Sequence, residues 1–261
     1  MTFATYLFSG ILCHLLLPSY RHLPLPHFTS KKRVDYLTRV IAILHALLVT
    51  ALAYYGIFHL CDDNKQSILS SRQCLTTPKL FHLLSAIITI GYLSFDLLAT
   101  ASFNHENNPL TYQTYMHHVA GIVAFATALV LRVQGSPFLI GAIANQFTEI
   151  STPFMNLRQI LYVHKMENSV CATVNKIVFA FTFLVVRLLF QIYFAYVSLF
   201  WLLDEYPNLP GYSGWELLGF TICWVAQVLG LLLNFSWASL IVKQLMRMVG
   251  SNKHPRKKKG E

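Results

Sequence analysis

CATVNKIVFAFTFLVVRLLFQIYFAYVSLFWLL, residues Cys171–Leu203, runs for 33 residues with only two charged side chains, Lys176 and Arg187. A helix needs about 20 predominantly apolar residues to cross the hydrocarbon core of a bilayer. This stretch has enough to cross with tilt or to overrun the membrane edge. Working outward from it, six more apolar runs emerge: Phe3–Leu17, Arg39–Leu60, Lys79–Phe103, Tyr112–Leu131, Phe138–Tyr162 and Trp215–Lys243. The first is short and ends at Pro18, but lacks the basic start and small-residue cleavage site of a signal peptide, so it reads as a retained span. The expectation is an all-α, polytopic membrane protein of about seven transmembrane helices.

Composition agrees. Hydrophobic residues make up 55% of the 261 and charged residues 12%, about half the charged share of soluble domains. Mean hydropathy is +0.49. Such a chain cannot cover a water-facing surface with polar groups, and disordered, collagen-like, coiled-coil and disulfide-stapled classes are excluded. The pI of about 9.4 does not signal nucleic acid: of the twenty Lys and Arg, only Arg187 lies deep in an apolar run.

The basic residues set orientation. Arg21, Lys31, Lys32, Arg33 and Arg39 precede the second span, Arg158 and Lys165 lie between the fifth and sixth, and the tail adds Arg247, Lys253, Arg256, Lys257, Lys258 and Lys259. With seven spans these segments share one side, which is expected to be cytosolic, with the C-terminus inside. Cys61 and Cys74 bracket a polar loop on the opposite, lumenal side. An oxidising lumen permits a disulfide there; two free thiols at the membrane edge are the alternative. The chain ends Lys258-Lys259-Gly260-Glu261, resembling a dilysine retrieval signal read by a coat protein in the cytosol. The competing reading is that these lysines mark the cytosolic side and touch anionic lipid.

Ionisable groups inside spans are costly and need a partner or a wet cavity. Ser85, Thr89, Tyr92, Asp96 and Thr100 fall on one helix face; so do Asn145, Glu149, Thr152 and Asn156, and Cys223, Gln227, Gly230, Asn234 and Trp237. His117 and His118 open the fourth span, and Arg187 is followed one turn later by Gln191. Ser85, Thr89, Cys223 and Gln227 read as interhelical glue. Asp96, Glu149, Arg187 and the histidine pair read as a cavity, with Asp96, His118 and Glu149 expected to line one interior space. Adjacent histidines diverge by about 100° on a helix, so at most one of them is expected to face its centre. Their spacing matches no metal motif. Imidazole as base or acyl carrier, held by a carboxylate, is the sharper idea. Pro153 is expected to break the fifth span and free the carbonyl of Glu149.

These segments resemble a known family. MHHVAGIVAF (Met116–Phe125) and NQFTEISTPFMNLR (Asn145–Arg158), with YLSFDL around Asp96, VVRLL around Arg187 and NFSWASLIVK from Asn234, are similar to the TLC-domain family, which includes the ceramide synthases. The E-x-S-T-P-F-x-N-x-R segment looks most like the TLC domain-containing protein 4 branch. The resemblance implies a first helix and cytosolic loop over 1–29, a TLC domain over 30–245 whose six helices form a barrel around a central lipid-accessible cavity, and a basic cytosolic tail over 246–261. It implies residence in the endoplasmic reticulum and a role in lipid homeostasis, with membrane lipid as partner. Asp96, Asn145, Glu149, Asn156, Arg187 and Asn234 would face the lipid, without a cofactor or metal. In ceramide synthases the histidine pair is implicated in acyl transfer; here that role would fall on His117 and His118, with acyl-CoA as co-substrate. The H-D-x-x-D segment of ceramide synthases is replaced by FTEISTPFMN (Phe147–Asn156). A non-catalytic lipid-binding protein and a histidine-dependent acyltransferase therefore both stand.

Overall fold

The computed structural model describes residues 30–59, 78–103, 106–131, 138–200 and 214–251. The first expected span, the Cys61–Cys74 loop and the Lys258-Lys259 signal lie outside these. The described residues hold helices and short turns and no strand. They are α1 (Ser30–Phe58), α2 (Leu80–Phe103), α3 (Pro109–Leu131), α4 (Phe138–Asn145), α5 (Thr152–Val163), α6 (Val170–Thr182), α7 (Gln191–Phe200) and α8 (Gly214–Ser251). Among the described residues, five stretches are long and apolar enough to cross a membrane: Lys32–Phe58, Leu80–Phe103, Pro109–Leu131, Val170–Phe200 and Gly214–Arg247.

Two expected spans are interrupted. Between α4 and α5 the chain tightens into a 3₁₀ segment, Gln146–Ser151. Pro153 has no N–H to give the carbonyl four residues back. The Glu149 carbonyl is not freed, contrary to the sequence expectation: it accepts from the N–H of Thr152. The tight turn satisfies it one residue early, and Pro153 sits in the first turn of α5, where its missing N–H costs nothing. Between α6 and α7 the helix widens into a π-helical segment, Phe183–Phe190, which carries Arg187.

The helices pack in a closed order. α1 lies against α2, α2 against α3 and α3 against α8; α8 meets α7 and the π segment; the π segment meets the 3₁₀ segment, α6 meets α5, and α5 returns to α1. Helix α4 packs on α2 and α3. Where α1, α2, α3 and α4 meet, Ala53, Ile57, Ala86, Ala128, Ile140 and Ala144 form a buried cluster, the small alanines letting backbones approach closely. At another close approach the His82 ring touches Gly56: a Cβ there would lie 2.8 Å from it. His82 Nδ1 accepts from the N–H of Lys79 at the start of α2, so Nε2 carries the proton and donates to the Gly56 carbonyl at 2.9 Å.

Polarity is turned inside out. Leu98, Val130, Leu189 and Leu232 are exposed, whereas Gln146, Asn175, Arg187, Gln191 and Asn234 are buried. An apolar exterior around a polar interior is what a hydrocarbon solvent selects. The chain is a polytopic all-α membrane protein.

Candidate functional site

The interior polar residues sort into three groups. The first joins α2 to the 3₁₀ segment. Ser85 Oγ donates to Gln146 Oε1, Gln146 Nε2 donates to Thr89 Oγ1 at 2.6 Å, and Thr89 Oγ1 donates to the Ser85 carbonyl at 2.9 Å. Every one of these polar side chains has a partner, so the cluster is helix-to-helix adhesive.

The second group holds the charges, in two separate pairs. Asp96 of α2 faces His118 of α3, with Oδ2 3.1 Å from Nε2. Arg187 lies 3.5 Å from Glu149 Oε1. Its guanidinium also donates through Nε to Ser151 Oγ at 2.9 Å and through Nη2 to Thr152 Oγ1 at 2.8 Å. Thr152 Oγ1 in turn donates to Glu149 Oε2 at 2.6 Å. The 3₁₀ turn is what puts Glu149, Ser151 and Thr152 on one arc before a single arginine. His45 of α1, buried and stacked on Tyr92 at 3.9 Å, belongs to the same interior.

The third group lines a pocket of about 220 Å³ bounded by α3, α4, the 3₁₀ and π segments, α7 and α8. One end holds His117, Asn145, Thr148, Arg187, Gln191 and Asn234. Asn234 Nδ2 donates to Gln191 Oε1 at 2.6 Å, and the His117 ring meets Trp237, one turn from Asn234, edge-on at 5.6 Å. Toward the other end lie Phe125, Phe138 and Phe220, with Phe138 and Phe220 in ring contact at 3.9 Å, while Phe194 stands one turn from Gln191. Gln227 and Trp224 lie between. Asn234 and Phe220 are separated by about 21 Å of α8 at 1.5 Å per residue. The pocket is thus graded, polar at one end and aromatic at the other.

Set against the sequence expectations, Asn145, Arg187, Asn234 and His117 line this pocket, while Asp96, His118, Glu149 and Asn156 are not among its lining residues. Asp96 and His118 meet each other, and Glu149 meets Arg187. Asn156 is spent locally, donating through Nδ2 to the Thr152 carbonyl at 3.0 Å. The two histidines diverge as helical geometry requires. His118 has the carboxylate but does not line the pocket, and His117 lines the pocket and touches Trp237 and His118 through ring contacts. Of the residues read as glue, Cys223 reaches the Ala124 carbonyl with its thiol at 3.5 Å, and Gln227 lines the pocket instead.

Sequence reasoning missed His45, His82, Gln146 and Asn175, the last donating to the Phe154 carbonyl at 2.9 Å to tie α6 to α5. A lone polar residue in an apolar run was the available signal for His45 and Asn175. Among the described residues no group of three or more His, Cys, Asp or Glu is placed to hold a metal ion.

A family model for the TLC domain matches residues 35–243, and this span takes in every element of the site. A comparison with curated proteins finds no match. The chain belongs to the TLC-domain family.

Proposed function

We propose that this TLC-domain protein is a multi-pass membrane protein of lipid homeostasis whose interior pocket binds a membrane lipid without chemistry. The graded pocket carries the reading. Polar groups from α3, α4, the π segment and α8 gather at one end, and aromatic side chains fill the other, which is the polarity profile of an amphiphile. The closed packing order of the helices supports a TLC-type barrel of six helices, with the TLC domain over 30–245 preceded by a first span and loop over 1–29 and followed by a basic cytosolic tail. In the orientation set by the basic segments, the polar end lies toward the cytosolic leaflet. The E-x-S-T-P-F-x-N-x-R segment supports membership of the TLC domain-containing protein 4 branch. Lys258 and Lys259 support retention in the endoplasmic reticulum through a coat protein. The test is mass spectrometry of lipid retained by the purified chain. A co-purifying lipid that is lost when Phe138 and Phe220 are both replaced by Ala supports the pocket, and equal retention by the variant counts against it.

A second reading, a histidine-dependent lipid acyltransferase using acyl-CoA, is favoured by one observation: the 3.1 Å pair of Asp96 and His118. A carboxylate so placed holds an imidazole in one tautomer and orientation. Against it stands the division of labour between the histidines. The imidazole with the carboxylate does not line the pocket, and the one lining the pocket lacks the carboxylate. If the chain transfers acyl groups, His117→Ala and His118→Ala each abolish a lipid change caused by overexpression at unchanged protein abundance. Wild-type lipid profiles from both variants exclude histidine chemistry.

A further inference from the structure

Helices α3 and α8 run antiparallel along one seam, and the seam is tied near both ends. At one end Trp237 Nε1 donates to Gln113 Oε1 at 2.8 Å, and Gln113 Nε2 donates to Ser236 Oγ at 3.3 Å. Toward the other end Leu131 packs so closely on Gly219 that a Cβ there would lie 2.5 Å from Leu131 Cδ1. At 1.5 Å per residue, Gln113 and Leu131 stand about 27 Å apart along α3, close to the roughly 30 Å thickness of a hydrocarbon core.

Between these ties the seam has a void on each side. Inside lies the pocket already described. Outside lies a groove of about 530 Å³, walled by Met116, Val119 and Val123 of α3 and by Ile222, Val225 and Leu229 of α8. Ala120 and Ala226 line both voids. At those two positions the wall between the groove and the pocket is one methyl group thick.

The lining selects the occupant. Tyr115 and Thr221 stand at opposite ends of the groove, and the Thr221 hydroxyl is spent on the Leu217 carbonyl at 2.8 Å. The rest is Val, Ile, Leu, Met and Ala. A polar head would lose its hydrogen bonds there, and a hydrocarbon chain loses nothing. A second transmembrane helix fits less well. Such helices approach closely where small residues meet, but here the alanines form the floor, while Val119, Val123 and Val225 stand exposed at the rim. Branching at Cβ makes those rim side chains stiff.

We infer that the groove is a docking site for one hydrocarbon chain of a bilayer lipid, and that the seam at Ala120 and Ala226 is the door through which the chain enters the pocket. This rests on the lipid-pocket reading above and adds the entry route. Parting the helices here displaces two methyl groups. The nearest hydrogen bond along the seam, from the Cys223 thiol to the Ala124 carbonyl at 3.5 Å, is a weak one. The head follows past the Gln113 tie, one turn from His117 at the polar end of the pocket.

The experiment uses the full chain in nanodiscs, supplied from donor vesicles with a phosphatidylcholine that carries a diazirine in one chain. Samples are irradiated at intervals and labelled residues are mapped by mass spectrometry. Labels on Val119, Val123 or Val225 report the groove, and labels on Gly141 report the pocket. The groove is expected to label first and the pocket later. Val225 is exposed and does not line the pocket. Val225→Trp is therefore expected to abolish groove labelling and to slow pocket labelling about tenfold, with the same final level. Leu189→Trp, on an exposed position of the π segment outside the groove, is expected to load at the wild-type rate. Gln113→Ala removes the tie and is expected to speed pocket labelling about threefold. A wild-type groove that does not label overturns the docking site. Disulfide-linked dimers of Val225→Cys in place of lipid labelling assign the groove to a second copy and overturn it too. A pocket that fills at the wild-type rate in Val225→Trp, or no faster in Gln113→Ala, overturns the door and leaves the lipid pocket standing. A groove that labels beside a pocket that never fills overturns the lipid-pocket reading, and the door with it.

Discussion

The Ser85–Thr89–Gln146 cluster and the Asn145–Gln191–Asn234 end of the pocket are both built from uncharged polar side chains on apolar helices. They differ in their accounts. In the first, hydroxyls and amide bond to one another until nothing is left over. In the second, Asn234 bonds to Gln191 and still has an unpartnered oxygen, and Asn145 has one as well. A polar side chain in a membrane span is therefore not in itself a sign of a site. Between these two regions the difference is whether hydrogen-bonding capacity is used up within the protein; Asn175, which ties α6 to α5, also keeps an unpartnered Oδ1.

The comparison breaks most sharply at Arg187, which belongs to both kinds of surface. Arg187→Ala leaves Glu149 buried without its counter-charge and is expected to cost about 3–5 kcal/mol, read as a lowered unfolding temperature in detergent. Adding Glu149→Gln removes the orphaned charge and is expected to restore most of that loss, a coupling that a double-mutant cycle measures directly. Gln146→Leu comes next. It strands the Ser85 hydroxyl and takes from Thr89 Oγ1 the donor it accepts from, and about 1–3 kcal/mol of stability is lost with lipid retention unchanged per folded molecule. Reduced retention at full stability would move this cluster to the binding side.

Gly56→Ala tests adhesion by shape. The new methyl meets the His82 ring at 2.8 Å, and overpacking of α1 against α2 is expected to cost about 1–2 kcal/mol without altering the lipid recovered. The smallest effect on stability, and of opposite sign, belongs to Gly230 on the pocket wall. A Cβ there has ordinary room, 3.5 Å from Gln191 Nε2, and replacing a mid-helix glycine raises stability by up to about 1 kcal/mol. Gly230→Ala is expected to leave the protein slightly more stable and to lower lipid occupancy, measured as lipid per protein by mass spectrometry. A loss of stability with full occupancy would place Gly230 among the adhesive positions.

Five of the expected spans were legible because hydrocarbon imposes a length and a composition that can be counted, whereas Phe138–Tyr162 is broken by the 3₁₀ segment and Phe3–Leu17 lies outside the described residues. The run Cys171–Leu203 needs nothing else to be assigned, and helical spacing placed Asn145, Arg187 and Asn234 on inward faces. Partner choice was not legible. Whether Asp96 meets His118 or Arg187 depends on the height at which facing helices are set, and no single-helix periodicity encodes that. The 3₁₀ segment was half visible: Pro153 announced a break, but the turn that satisfies the Glu149 carbonyl is made by its neighbour, Thr152, ahead of the proline. His82 and Gln146 were invisible as partners because each takes its meaning from a backbone or side chain on another helix.

The wide turn over Phe183–Phe190 left no mark in composition at all, and it has a consequence for alignment. A π turn holds one residue more than the α turn it replaces, so it behaves as an insertion hidden inside a helix. One residue is 100° of azimuth. Upstream, Phe179 and Phe183 keep the phase that packs them with Ala238 and Ile241. Downstream, Gln191, Phe194, Val197 and Ser198 follow a rotated phase, and that rotated phase is the one that borders the pocket. A relative with one residue fewer here could keep every other letter and still present a different side of this helix to the interior. For this stretch, the residue count between Phe183 and Gln191 carries information that the identities of the residues do not.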